Sequence, residues 1–318
     1  MTGEVEIQAV GAGDQMRALE FLLAGDARDA LTSARAEELR RLVRRRAGAG
    51  AELLWARRGD KCLAAAMVMK NPGRVGMLLH SPPSAAGVDR EALAAVIRTA
   101  SREALAEDLV LVQTLVDQGS TDCPALLKSA GFSLLATLVY MRLSPLSRCE
   151  SPAAGLQWRS GDQYDQRELE RVIAQTYNGS LDCPALTGVR TIADVIECHK
   201  ASGIYRPQSW WIVHLGRMAA GCILMNDSAV PQTAEIVYLG VVPACRGRGL
   251  GRAMLRHAAA DARSRGLRAI ELAVDDANAY AMRLYESEGF RAARRQWAYV
   301  MFRDGAKTAA GPRDIAIC

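Results

Sequence analysis

A chain of 318 residues is longer than one compact core ordinarily holds, so two domains are expected; half of the residues are hydrophobic and 24% charged, as in a globular protein. The net charge of +5 is spread over both halves without a block of like charges, which argues against nucleic acid as a partner. No apolar stretch is long enough to cross a bilayer, the first residues lack the order of a secretion signal, and the eight cysteines form no CxxC pair, so a membrane, export and a metal are set aside and a cytoplasmic protein with free thiols is expected.

In chain order, two helical patterns precede strands expected at Ala51–Ala56, Cys62–Met69 and Val75–His80. A helix over Arg90–Ala106, a strand over Leu109–Val116, a short helix ending at Gly131-Phe132 and a strand over Leu134–Leu143 complete the first half. Ser144–Gly155 is rich in Pro, Ser and Gly and reads as a linker, giving domains of 1–143 and 156–303 with a loose tail at 304–318. The second half opens with a strand at Leu156–Arg159, helices over Asp165–Gln175 and Leu186–Lys200, and β-rich runs Ser209–Leu215 and Met218–Asn226 joined by Gly216-Arg217. A strand at Thr233–Val242 stops at Pro243. Apolar residues at Leu250, Met254, Leu255, Ala258 and Ala262 then mark one helix face. A strand at Leu267–Val274, a helix over Asn278–Glu288 stopped by Gly289, and a strand at Phe290–Phe302 close the pattern. The final strand–helix–Gly-Phe–strand block of each half repeats the other, with Tyr140 and Tyr299 late in the last strand, which reads as an internal duplication. The literal repeat Asp122–Leu126 and Asp182–Leu186 falls at different points of the two halves and reads as two helix starts capped by Asp.

The chemistry lies between the strand ended by Pro243 and the amphipathic helix that follows. Gly247, Gly249 and Gly251 alternate with Arg246, Arg248, Leu250 and Arg252. Glycines let backbone N–H groups turn into a concavity at a helix N-terminus, where partial positive charge gathers, and arginines add full charge. A compact polyphosphate fits that arrangement. A Walker loop would need Gly-Lys-Ser/Thr, and a dinucleotide fingerprint would need glycine at Arg252. A glycine-rich turn without a ligand is the bland alternative.

Arg246-x-x-Gly249-x-Gly251 resembles the pyrophosphate loop of the GNAT N-acetyltransferase superfamily, and Leu239–Pro243 resembles the strand end before it. Asn278-x-x-Ala281-x-x-Leu284-Tyr285-x-x-x-Gly289-Phe290 resembles the family's second block. The resemblance covers about 155–302, and 1–143 only by order of elements. It implies an α/β (α+β) fold of two GNAT-like domains, each a mixed, mostly antiparallel twisted sheet flanked by helices. It also implies acetyl-CoA as co-substrate, with no metal. The free backbone of Leu239, Gly240 and Val241 would then bind the pantetheine arm, amides from Arg246 to Arg252 the pyrophosphate, Asn278 the arm, and Tyr285 would lie near the sulfur.

Acetyl transfer needs a deprotonated amine, a polarised thioester oxygen and a proton for the departing thiolate. Glu235 is the candidate base, with a water chain as the alternative, and Tyr285 the candidate acid. Tyr177, Asp182, His199, Tyr205, Trp210 and Trp211 are available to an acceptor pocket for a small-molecule or peptide amine. Cys245 flanks the loop, but no His–Asp pair stands ready to activate it. The first-half loop, Leu79–Asp89, has one glycine where the other has three, carries Pro82, Pro83 and Asp89, and has Leu127 at the tyrosine place. A degenerate copy without acetyl-CoA is expected there. A non-catalytic acyl-CoA sensor is the alternative function.

Overall fold

The computed structural model describes residues 4–11, 13–23, 51–146, 155–161 and 163–305. The second expected helix of the first half, most of the Ser144–Gly155 linker and most of the tail lie outside those residues. By packing, the chain forms two units. Unit 1 holds Met1–Leu135 and Trp297–Lys307, and unit 2 holds Ala136–Gln296.

Unit 1 is built from β1 (Glu6–Ala9), α1 (Gln15–Leu22), β2 (Ala51–Arg58), β3 (Lys61–Asn71), β4 (Val75–His80), α2 (Arg90–Glu107), β5 (Leu111–Asp117) and α3 (Cys123–Ala130). Its sheet runs β1-β2-β3-β4-β5 and ends with residues 297–302. β3 is buried along almost its whole length because α1 covers one face and α2 with α3 the other. Buried strands on both faces read as continuous apolar runs rather than alternation, which is how KCLAAAMVMKN reads.

Unit 2 takes residues 136–143 of β6 (Ser133–Leu143), then β7 (Leu156–Ser160), α4 (Gln166–Thr176), α5 (Ile192–Lys200), β8 (Trp210–Leu215), β9 (Met218–Asp227), β10 (Thr233–Val241), α6 (Leu250–Ser264), β11 (Ala269–Asp275), α7 (Ala279–Ser287) and the first part of β12 (Arg291–Phe302). Strand order is β6-β11-β10-β9-β8-β7. Within that order β10 and β11 run parallel and the other neighbours antiparallel; β6 pairs with β11, Ile270 facing Leu143 and Asp275 facing Leu138. α4 and α5 bury Leu169, Val172, Ile173 and Ile196 against Trp210, Ile212 and Leu224 on one face. α6 and α7 bury Met254, Leu255, Ala258 and Tyr285, with Phe290 just after α7, against Ile223, Met225, Ile270 and Leu272 on the other.

The packing units do not follow the covalent halves at the closing strands. The duplication gave each half its own, whereas residues 136–143 pair inside unit 2 and residues 297–302 lie in unit 1. Helix α5 starts at Ile192, later than the expected Leu186, because Gly188 takes φ +79° and Thr191 caps the amide of Asp194. A short 3-10 turn, Pro184–Leu186, stands in for its first turn.

Candidate active site

β10 and β11 pair only from Thr233↔Ala269 to Ile236↔Leu272. A register shift between Ile236 and Tyr238 follows, and β10 continues against β9 alone to Val241. The two parallel strands thus part, leaving a gap beside Leu239–Val241. The N–H of Val242 donates to Ala220 O at 3.0 Å. Antiparallel alternation then turns the polar groups of Leu239 and the N–H of Val241 away from β9, into the gap, while Val241 O accepts from Arg246 Nε. Gly240 is required by crowding: a Cβ would lie 2.7 Å from Thr176 Oγ1 and 2.9 Å from Tyr238 Oη.

After the 3-10 turn Pro243–Cys245, the loop enters α6. Gly247 and Gly249 take φ of +74° and +76°, values that favour glycine. Gly249 is the N-cap and supplies no side-chain cap. Among the described residues, the amides from Gly247 to Arg252 have no acceptor in the chain, while Arg246 N–H donates to Pro243 O and Ala253 N–H to Gly249 O. Six successive unpaired donors at the positive end of a 15-residue helix form an anion cradle.

The arginines divide in a way the sequence does not disclose. The Arg246 guanidinium donates to Val241 O (3.1 Å), Gly179 O (3.1 Å), Thr176 O (2.9 Å) and Asn178 O (2.8 Å). It closes the C-terminal end of α4 and ties it to the tip of β10. The charge expected to face a phosphate is therefore committed to four carbonyls, and Arg246 positions the loop. Arg252 and Arg256 both pair with Glu288 (2.7 and 2.9 Å). Among the described residues Arg248 has no partner and is exposed, so it carries the free charge of the loop.

Asn278 caps α7, its Oδ1 accepting from Ala281 N–H at 3.2 Å. Tyr285 lies in the core beneath, tilted against Phe290 with ring centroids 5.8 Å apart. Burial, and next the charge of Asp182, push its hydroxyl pKa up, so it is protonated at neutral pH. Glu235 lies at the other end of β10, opposite Asn226 and Glu271, and accepts from Ser202 Oγ at 3.2 Å. Burial raises its carboxyl pKa; the Ser202 hydrogen bond opposes this and Glu271 adds to it. Cys245 is fully buried among Ala220, Val242 and Leu250.

Two of the expected acceptor-side residues come together around Tyr238, which sequence reasoning missed. Tyr177 meets the Tyr238 ring edge-on (5.9 Å) and His199 meets it tilted (5.4 Å). Thr176 Oγ1 gives its proton to Ile173 O (2.7 Å), so Tyr238 Oη is the donor in their 2.6 Å hydrogen bond. Asp182 is exposed as a residue, yet its Oδ1 accepts from Asp275 N–H (3.2 Å), so the expected helix cap is instead a tie to the end of β11. Burial of that carboxyl raises its pKa, the Asp275 N–H opposes this and the Asp275 charge adds to it. Trp210, Trp211 and Tyr205 stand apart. Trp210 is a core residue whose indole donates to Asn226 Oδ1 (2.8 Å); Trp211 packs edge-on to His257 beneath α6; Tyr205 leans on Trp210 at the surface. Asn226 in turn donates to His199 O (2.7 Å) and Ser202 O (2.6 Å), pinning the end of α5 to β9. The signal for Tyr238 was hidden because alternation along β10 breaks at the bulge.

Residues 180–290 match the model of the acetyltransferase (GNAT) family. The mycothiol acetyltransferase of Beutenbergia cavernae is 38% identical over 106 residues, which are 32% of this chain and 35% of that protein. The chain thus matches about a third of that curated relative's length. Two solved structures share the fold along nearly the whole chain. One is a GCN5-related N-acetyltransferase from Sphaerobacter thermophilus (TM-score 0.61, 20% identity, 94% of this chain and 95% of that one). The other is a tandem GNAT protein from the clavulanic acid biosynthesis pathway (TM-score 0.52, 16% identity, 96% and 100%). The family match thus covers residues 180–290 in the C-terminal half, and the fold of the whole chain is similar to that of a tandem GNAT protein.

Proposed function

We propose that unit 2 transfers the acetyl group of acetyl-CoA to a primary amine of a small molecule or peptide by direct attack in a ternary complex. The observation that carries this reading is the run of unpaired amides from Gly247 to Arg252 directly beyond the open strand Leu239–Val241. A diphosphate suits the cradle, with Arg248 adding charge, and an extended amide-bearing arm suits the strand edge. Asn278 borders the arm through its amide nitrogen. The thioester oxygen would be held by Val241 N–H as negative charge develops on it.

An alkylamine is mostly protonated at neutral pH, with a pKa near about 10, so a base must act first. Glu235, half-buried and raised in pKa, takes that proton through water, since it sits several residues from Val241 along β10. Tyr285, protonated in its buried position, gives its proton to the departing thiolate and regains the one that the nitrogen loses as the tetrahedral intermediate collapses to the amide. The free thiols at all six described cysteines fit a reducing cytoplasm.

Unit 1 is read as a degenerate copy. Asp89 there accepts from Glu91 and Ala92 N–H (3.1 and 3.0 Å), so a carboxylate of the chain occupies the helix end where a phosphate would bind. The domain limits 1–143 and 156–303 stay a proposal about folding units. The deep burial of Tyr285 favours one other reading, an acyl-CoA sensor without turnover. Thiol release from acetyl-CoA across an amine panel tests the function: an enzyme releases thiol faster with some amine, and a sensor binds acetyl-CoA while releasing none.

A further inference from the structure

The acceptor side of the gap holds a half-buried arginine that no acceptor or carboxylate among the described residues engages. Arg190 lies just before Thr191, the N-cap of α5. Its Nε and Nη1 are buried without a hydrogen-bond partner, and no ion pair engages it among the described residues. His199, at the other end of the same helix, has its Nε2 in the same condition. Guanidinium nitrogens held out of water without a partner are costly, and an anion completes such groups. The charge is felt by the aromatic wall of the site: it lowers the pKa of His199 and opposes the rise at Tyr177, both of which burial dominates. Both rings touch Tyr238, whose hydroxyl lies over Gly240 at the gap.

We propose that Arg190 anchors an anionic group of the acceptor, so that the amine acetylated here belongs to a molecule that also carries a carboxylate. This rests on the acetyltransferase reading and narrows it. Arg190 presents donors in the planar fork that suits a carboxylate, and His199 Nε2, at the far end of the helix, is a second unpartnered polar atom on the same side. The wall of Tyr177, Tyr238 and His199 covers the acceptor's apolar body between anion and amine. Amine and anion then lie about one or two ring spacings apart, on the order of 5–12 Å. Arg190 is a specificity residue and takes no part in the bond changes.

The test compares acceptors that share a skeleton and differ by one carboxylate, such as lysine against cadaverine and glycylglycine against its amide. Transfer is followed by thiol release, and acetyl-CoA affinity by calorimetry. The carboxylate-bearing member is expected to have a kcat/KM about tenfold higher or more, Arg190→Gln to bring the ratio near one, and Arg190→Lys to keep part of it, all with acetyl-CoA affinity unchanged. Because the free protein carries the charge unpaired, Arg190→Gln is also expected to hold or raise Tm, whereas loss of a structural arginine would lower it. No preference for the carboxylate, or a preference that survives Arg190→Gln, overturns the proposal while leaving the enzyme reading intact. If acetyl-CoA binds but no amine is acetylated, the same pairs are titrated into the acetyl-CoA complex, with the same ratio of affinities expected and its absence equally decisive. Failure to bind acetyl-CoA at all overturns the enzyme reading and this proposal with it, and is distinguished by the calorimetry.

Discussion

Gly249 and Gly266 allow the cradle to be separated from the strain that glycines relieve. Both take left-handed φ, +76° and +75°, and a Cβ at either would meet nothing within 4 Å. An alanine held in that conformation costs about 1–2 kcal/mol at each site. For a unit of this size, each kcal/mol lowers Tm by about 2–4 °C. Gly266 follows α6 in the turn that donates to Arg263 O, at the far end of the helix from the loop. Gly249 is the N-cap itself, with unpaired amides on both sides. If the backbone relaxes there to a negative φ, two neighbouring N–H groups turn out of the concavity. Hydrogen bonds to a charged oxygen contribute about 1.5–3 kcal/mol each, so losing even one or two amounts to roughly 100-fold in affinity. Gly249→Ala and Gly266→Ala are therefore expected to lower Tm by similar amounts in thermal melts. Only Gly249→Ala should weaken acetyl-CoA binding in calorimetry. Equal effects on affinity, or native affinity in Gly249→Ala, would refute the role given to the amides.

The division of labour among the arginines is checked by Arg248→Ala, expected to weaken acetyl-CoA about tenfold with less effect at high salt, against Arg246→Gln, expected to act mainly on Tm because its four carbonyl partners are structural. Glu235→Gln and Tyr285→Phe are each expected to lower kcat more than they weaken acetyl-CoA binding. Since a base works ionised and burial raises the Glu235 pKa, activity should fall on the acid side at a pH above the ordinary carboxylate range, a limb that Glu235→Gln removes and Tyr285→Phe retains. Burial, and next Arg190, push the His199 pKa down to about 4. Its folded value thus lies below the unfolded one, so the stability it supports is present above about pH 6.5 and is lost as pH falls through about 4. Tm measured against pH should be flatter in His199→Gln over that window.

The loop, its flanking strand and helix, and the Asn278–Phe290 block were legible because each is a local pattern: glycine spacing, a proline stop, one apolar helix face. What escaped depends on residues distant in the chain. Arg246 looked like a free charge because its partners, Thr176, Asn178 and Gly179, belong to α4. Tyr238 joined the acceptor side only because the β10 bulge turns it onto the Gly240 face. Asp182 read as a cap beside Pro184, yet its partner is the amide of Asp275 on another strand. The exchange of closing segments was invisible for a related reason: the repeat specifies a strand's sequence, and the edge it pairs with is set by packing.

The central claim is that main-chain amides at the start of α6 hold the diphosphate of coenzyme A. Titrating acetyl-CoA into 15N-labelled protein tests it most directly. The amide resonances of Gly247–Arg252 are expected to shift and saturate at one equivalent per chain, while those of Glu91 and Ala92, already bonded to Asp89, stay in place. Saturation without movement of Gly247–Arg252, or a second equivalent shifting Glu91 and Ala92, would contradict it.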